Sequence, residues 1–180
     1  MWIRNLPPNV TYNSLLGSIR GMGRVYATHI NPPDEAKGHK TAAAKLVFFD
    51  LDAAQRFYSM ASNPARRFIV QGMVAVVQHN RIKSEACDPG GNLSRALNIK
   101  GHPSFVNRRS LLGWFGEFFQ YNLDEVVTIM HNEEMGEVRV LFGSYRSQAQ
   151  AAYMALVRSH PPGQPGSLVW SVRYDHDPCA

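Results

Sequence analysis

Ser14-Leu15-Leu16-Gly17 recurs as Ser110-Leu111-Leu112-Gly113, 96 residues further on. The alternating apolar triplet Ala44, Leu46 and Phe48 recurs as Val138, Val140 and Phe142, at an offset of 94. Val77-Gln78-His79 has its counterpart in Val172-Arg173-Tyr174, at an offset of 95. A single tetrapeptide match can arise by chance. Three landmarks in the same order at nearly one offset point to two copies of one unit. Between them, Lys83-Ser84-Glu85-Ala86-Cys87-Asp88-Pro89-Gly90-Gly91-Asn92 lacks periodicity and holds Pro and paired Gly, as a linker does. The sequence therefore divides into a first domain at 1–83, a linker at 84–94 and a second domain at 95–180.

Each copy reads as strand, helix, strand, strand, helix, strand. In the first, the expected strands are Met1–Asn5, Arg24–Asn31, Thr41–Phe49 and Met73–Asn80. Thr11 supplies the cap of the first helix, whose apolar face holds Leu15, Leu16 and Ile19. The second helix covers Leu51–Ala61, and Pro32 to Lys40 form a polar loop. In the second copy, strands are expected at Ala96–Lys100, Glu125–His131, Gly136–Phe142 and Leu168–Tyr174, with helices at Arg108–Phe119 and Ser147–Val157. This order predicts an α+β protein built of two ferredoxin-like β-α-β-β-α-β sandwiches. Two helices cover one face of each four-stranded sheet, and the other face is open.

The charge is unevenly placed. Residues 1–83 hold 11 Lys/Arg against 4 Asp/Glu, or +7, and residues 84–180 hold 8 against 10, or −2. A polyanion is drawn to the first copy and not to the second. The apolar fraction of 44% suits a packed core rather than a disordered chain. No apolar run spans a membrane, and the start has no signal-peptide pattern. Cys87 and Cys179 are too few and too isolated for a disulfide framework or a zinc site. An intracellular, reducing location is expected, with nucleus and cytoplasm both open.

Met1-Trp2-Ile3-Arg4-Asn5-Leu6 runs aliphatic, aromatic, aliphatic, any residue, Asn, Leu, at the start of the right strand order. In this it resembles the first-strand signature of the RNA-recognition-motif family. The third-strand signature is K/R-G-F/Y-G/A-F-V-x-F/Y, and Thr41-Ala42-Ala43-Ala44-Lys45-Leu46-Val47-Phe48 fills its window. Ala44, Leu46 and Phe48 fit the core positions. Ala43 and Lys45 stand where two exposed rings belong. Ending the motif at Phe49 instead would bury Lys45, which is costly for a charge.

The resemblance implies single-stranded RNA held on the open sheet face of the first copy. Unpaired bases stack on exposed rings, each contact contributing roughly 1–3 kcal/mol. Trp2 offers one such ring, Tyr26 a second, and Arg4 shares the strand of Trp2. Lys45 offers charge to a phosphate or its stem to a base, and Lys37, His39 and Lys40 in the preceding loop can clamp phosphates. If Val77 and His79 face the core, Gln78 and Asn80 face outward beside Trp2, with the donors and acceptors that base edges need. Arg81 and Lys83 follow as phosphate contacts. His79 is expected to be a core histidine.

The second copy departs further. Its first strand reads Leu97-Asn98-Ile99-Lys100-Gly101-His102, with Asn98 in the aromatic position. Glu137 and Arg139 replace both rings of the third strand. The resemblance implies a degenerate copy that pairs with a protein, self-associates or supports its neighbour. Its first helix carries Leu111, Trp114, Phe115, Phe118 and Phe119, more large apolar residues than one face needs. Trp114 then lies at the flank, either as a protein-interaction anchor or as the edge of its own core. Trp170 and Tyr174 share parity with Val172 and are expected to be buried.

No phosphate loop, nucleophile elbow, zincin motif or Cys/His ligand spacing occurs, so neither an enzyme nor a metal or other cofactor is expected. The reading is a single-stranded RNA binder in post-transcriptional regulation or mRNA processing, and a piece of a longer regulator. Its alternative is a protein-interaction or dimerisation module with weak or no RNA binding.

Overall fold

The computed structural model describes residues 1–81 and 91–180. Lys83, Cys87 and most of the expected linker lie outside them. The chain divides into two compact units, one of Met1–Pro89 with Pro178–Ala180, the other of Gly90–Asp177. No helix among the described residues is long and apolar enough to cross a membrane.

The first unit runs β1 (Trp2–Leu6), α1 (Tyr12–Gly17), β2 (Val25–Asn31), β3 (Ala42–Phe48), α2 (Leu51–Ala61), β4 (Ile69–Val70), β5 (Met73–Val74) and β6 (Val76–Gln78). Four strands form one antiparallel sheet in the order β2-β3-β1-β6, and β4 with β5 makes a separate hairpin. The last strand is thus shorter than expected. Its expected first part turns back on Ile69–Val70 through Gln71 and Gly72, both at positive φ, before the chain joins the sheet.

Local chemistry accounts for these elements. Thr11 accepts from the Ser14 N–H at 3.1 Å while its own N–H donates to the Ser14 hydroxyl at 3.0 Å, a reciprocal cap on α1. Asp50 caps α2 by accepting from the Ala53 N–H at 2.6 Å. Ile3, Leu15, Leu16, Ala44, Leu46, Phe48 and Phe57 pack between helices and sheet with at most 5% exposure. That alternation on β3 leaves Lys45 exposed between buried neighbours. Cys179 completes this core. It is fully buried, its thiol lies 3.5 Å from the Leu16 carbonyl oxygen, and its own carbonyl accepts from the Gly23 N–H.

The second unit runs β7 (Ala96–Gly101), α3 (Arg108–Phe118), β8 (Leu123–His131), β9 (Gly136–Phe142), α4 (Gln150–Ser159) and β10 (Val169–Asp175). Its sheet order, β10-β7-β9-β8, reproduces that of the first unit. Both units have the ferredoxin-like α+β fold. Leu111, Phe115, Val138, Val140, Phe142 and Leu156 form its core. Arg95 is also wholly buried. Its guanidinium donates to Asp177 at 3.0 Å, to Asp124 at 2.9 Å and to the Phe142 carbonyl at 2.9 Å. One side chain thereby joins the start of β7, the end of β9, the bulged start of β8 and the second residue past β10.

Trp170 is 46% exposed, contrary to its expected burial. The cause is a register shift between Val169 and Ser171, which bulges the tryptophan out of the alternation. Tyr174, paired with Leu97, is only half-buried and stacks on Tyr153 with ring centroids 4.9 Å apart.

Candidate nucleic-acid interface

On the first unit's sheet, strand pairing sets four side chains in one row. Gln78 on β6 pairs with Trp2 on β1, Trp2 pairs with Lys45 on β3, and Lys45 pairs with His29 on β2. The row lies on the face away from the buried Ile3 and Ala44. Gln78, Lys45 and His29 are exposed and Trp2 half-buried. One turn of the pleat further, Arg4 pairs with Val76, and Ala43 pairs with Asn31.

Two open cavities flank the tryptophan. One of about 450 Å³ is lined by Trp2, Arg4, Lys45, Gln78, His79, Asn80 and Arg81. The other, about 930 Å³, lies between β1 and the loop that joins β2 to β3, with Trp2, Arg4, Asn31, Glu35, Lys37, His39 and Ala43 among its walls. Such sizes suit small-molecule-sized ligand groups. Asn5 shapes the boundary of the larger one. It takes a left-handed conformation (φ 59°) where the β1–β3 register shifts, and donates to the Val74 carbonyl at 2.7 Å.

The sequence-derived residues are not all equivalent. Trp2, Arg4, Lys45, Gln78, Asn80 and Arg81 converge on the smaller cavity. Lys37 lines the larger one, with its charge partly neutralised by Asp34 at 2.8 Å in an exposed pair. Asn80 sits beside Trp2 but is occupied. Oriented so that both its amide atoms find partners, it donates to the Met1 carbonyl and accepts from the Met1 amino group, each at 3.0 Å. Burial and the nearby Lys45 push that amino group down to about 6. Lys40 is exposed in the loop and lines neither cavity.

Tyr26 is not part of the face. It stands at a register shift between Val25 and Ala27 and packs edge-on against the buried Phe49, with centroids 5.3 Å apart. His79 is not a core residue. It is exposed and stacks on Tyr58 of α2 at 4.2 Å. His29, Asn31 and Glu35 went unnoticed in the sequence, whereas His39, expected in the phosphate-clamping loop, lines the larger cavity. Placing His29 and Asn31 required the β2–β3 register, which a bulge shifts by one residue.

The second unit has other groups in the matching places. Asn98 donates to Glu137 at 2.9 Å, and Lys100 pairs with the same carboxylate at 3.1 Å. The Asn98 hydrogen bond first, and then Lys100, hold the Glu137 carboxyl below its ordinary range. Arg139 is tied to Asp175 at 3.0 Å and to the His176 carbonyl at 2.7 Å. These groups engage one another, although the buried Asn98 Oδ1 has no hydrogen-bond partner among the described residues. On the helical side, Trp114 packs against Phe118 at 4.6 Å, Phe105 at 5.6 Å and His160 at 5.7 Å. Phe118 at the end of this cluster is 56% exposed. Burial pushes the His160 imidazole below its ordinary value, which favours the neutral ring.

No group of three or more His, Cys, Asp or Glu able to hold a metal ion occurs among the described residues. No protein-family model matches the chain, and neither does any curated protein sequence. Among solved structures, the chain is similar to the N-terminal three RNA binding domains of the yeast splicing factor Prp24. The identity is 10% and the TM-score 0.38, over 98% of this chain and 64% of that one, less than two thirds of its length. It is also similar to RNA recognition domains 1 and 2 of Sex-lethal from Drosophila melanogaster (18%, TM-score 0.35, 97% of this chain and 98% of that one). The first two RRM domains of the yeast poly(U) binding protein Pub1 follow at 13% and a TM-score of 0.33, with 98% of each chain covered.

Proposed function

We propose that the first unit binds single-stranded RNA across its open sheet face, with Trp2 as the stacking ring. One observation carries this reading. Gln78, Trp2, Lys45 and His29 stand in one row, in the half of the chain that holds a formal +7. A flat ring between an amide and an ammonium offers a base its π-face, an edge partner and a phosphate partner together. Arg81 extends the charge past the end of β6. The role is RNA regulation or processing, without catalysis. A preference for RNA over single-stranded DNA requires a contact to the 2′-hydroxyl.

The test is a fluorescence-anisotropy titration of short labelled RNAs at two salt concentrations, with wild type and Trp2→Ala. Salt-sensitive binding that weakens in the variant by about 1–3 kcal/mol is expected. Binding indifferent to Trp2 sinks the proposal.

A second reading concerns the other unit. The Trp114 cluster, ending in the exposed Phe118, favours a protein-contacting role for its helical face. Self-association of this unit belongs to the same reading. Sedimentation of wild type against Phe118→Ser separates a self-associating unit from a monomeric one.

A further inference from the structure

The larger cavity has a composition that a phosphate site would not have. Of the four carboxylates in residues 1–83, Asp50 and Asp52 serve the start of α2. The other two, Asp34 and Glu35, both line this cavity. Carboxylates repel phosphates, so two of them in the basic half of the chain mark a place where something other than backbone is held. Ala43 is one of the residues that line the cavity. Ala43 stands where the family signature has an aromatic, and its methyl leaves a hollow between Arg4 and the β2–β3 loop.

We infer that this hollow is a base pocket selective for guanine, in which Arg4 and Glu35 read two adjacent edges of one flipped-in base. The inference rests on the proposed RNA-binding reading of the same face. Guanine presents two adjacent acceptors, O6 and N7, which a guanidinium contacts in bidentate fashion. It also presents two adjacent donors, N1–H and N2–H, which one carboxylate accepts together. Adenine lacks the O6 acceptor and the N1–H donor. Uracil has a single N–H between two carbonyl oxygens, which a carboxylate repels. Cytosine has one amino donor and no N–H beside it. Asp34 is already committed to Lys37, through its ammonium at 2.8 Å and its backbone N–H at 3.3 Å. Glu35, exposed on the same wall, is the acceptor left for the base. Trp2 borders the pocket as well as the smaller cavity. A nucleotide stacked on Trp2 therefore places its neighbour over the hollow.

The test uses the full chain and labelled oligouridine carrying one central guanosine, inosine, adenosine or cytidine. Inosine keeps O6, N7 and N1–H and lacks only the N2 amino group. Wild type is expected to prefer guanosine over inosine by about fivefold or more, since inosine loses one of the two hydrogen bonds to the carboxylate. Glu35→Gln is expected to remove that preference. Ala43→Phe fills the hollow and restores a ring, so the guanosine preference disappears while oligouridine still binds. Equal binding of all four oligonucleotides, with Trp2→Ala still weakening each, overturns the guanine pocket and leaves the stacking face standing. A guanosine preference that survives both variants also overturns it. Failure of wild type to bind any of the oligonucleotides overturns both readings together.

Discussion

Arg95→Met tests how the second unit is held together. The guanidinium is fully buried and donates at 2.9–3.0 Å to the Phe142 carbonyl and to Asp124 and Asp177, carboxylates that are themselves out of solvent. Methionine fills much of the volume but leaves Asp124 and Asp177 as buried, like-charged neighbours. Removing one partner of a buried ion pair costs about 3–5 kcal/mol, chiefly because the remaining charge is uncompensated. Domains commonly have only about 5–15 kcal/mol of stability in all, so the loss is a large share. With a urea m-value of about 1.5 kcal/mol/M, the unfolding midpoint falls by roughly 2–3 M.

The fluorescence assay can be confined to this unit. Trp114 and Trp170 both belong to it, and Trp2→Phe removes the only other tryptophan. In that background, urea titration of Arg95→Met is compared with Arg95→Met/Asp124→Asn/Asp177→Asn. Neutral amides remove the stranded charge, so the triple variant is expected to recover a substantial part of the loss. If Arg95→Met shifts the midpoint by less than about 0.3 M, smaller than such a cost allows, the network does not hold the strand ends. If single and triple variants are equally unstable, lost packing rather than uncompensated charge is the cause.

Three further outcomes are expected. Lys45→Glu reverses a charge beside Trp2, and RNA affinity in an anisotropy titration should fall by about 1–2 kcal/mol, with a salt dependence shallower by roughly 0.7 for one lost phosphate contact. Glu137 has a folded-state pKa below its ordinary 4.5, so its contribution to stability is present above that value and is lost as pH falls through the folded one; Glu137→Gln should flatten the decline in second-unit stability below about pH 4.5, read by urea melts at stepped pH. Gly23 adopts φ 150°, and a Cβ there would lie 2.2 Å from that of Ala53; Gly23→Ala should destabilise the first unit by about 1–3 kcal/mol, measured by thermal unfolding, and an unchanged midpoint would refute the close packing of α2 on this turn.

The order and type of the principal elements were legible because the signals are local. Alternation on β3 and on β9 and the Thr11 cap are each read within a few residues, and the repeat compares such local patterns between the two copies. What escaped depends on contacts far apart in sequence. Arg95 reads as an ordinary charge at the edge of a linker, and only the fold brings Asp124 and Asp177 to it. Trp170 and Tyr26 were misplaced for one physical reason: strict alternation assigns faces by parity, and a bulge adds a residue that parity cannot see. Ala43 was legible as a missing ring, but its consequence was not. Whether a small residue leaves a flat surface or a hollow depends on the β2–β3 loop, whose path the sequence leaves open.

The two units show what a shared fold does and does not determine. Their sheets have the same strand order, yet matching positions carry opposite chemistry. Trp2 and Lys45 leave the first face with a ring and a charge available to a ligand. Asn98, Glu137 and Arg139 engage internal hydrogen bonds and ion pairs at the corresponding place in the second unit. Opening that set would strand a carboxylate that Asn98 and Lys100 now satisfy, a cost a stacked base must offset before it gains anything. The same fold therefore presents a ring and a charge on one sheet and mutually engaged side chains on the other. On the proposed reading, the difference lies in whether the side chains on the face are already engaged with one another.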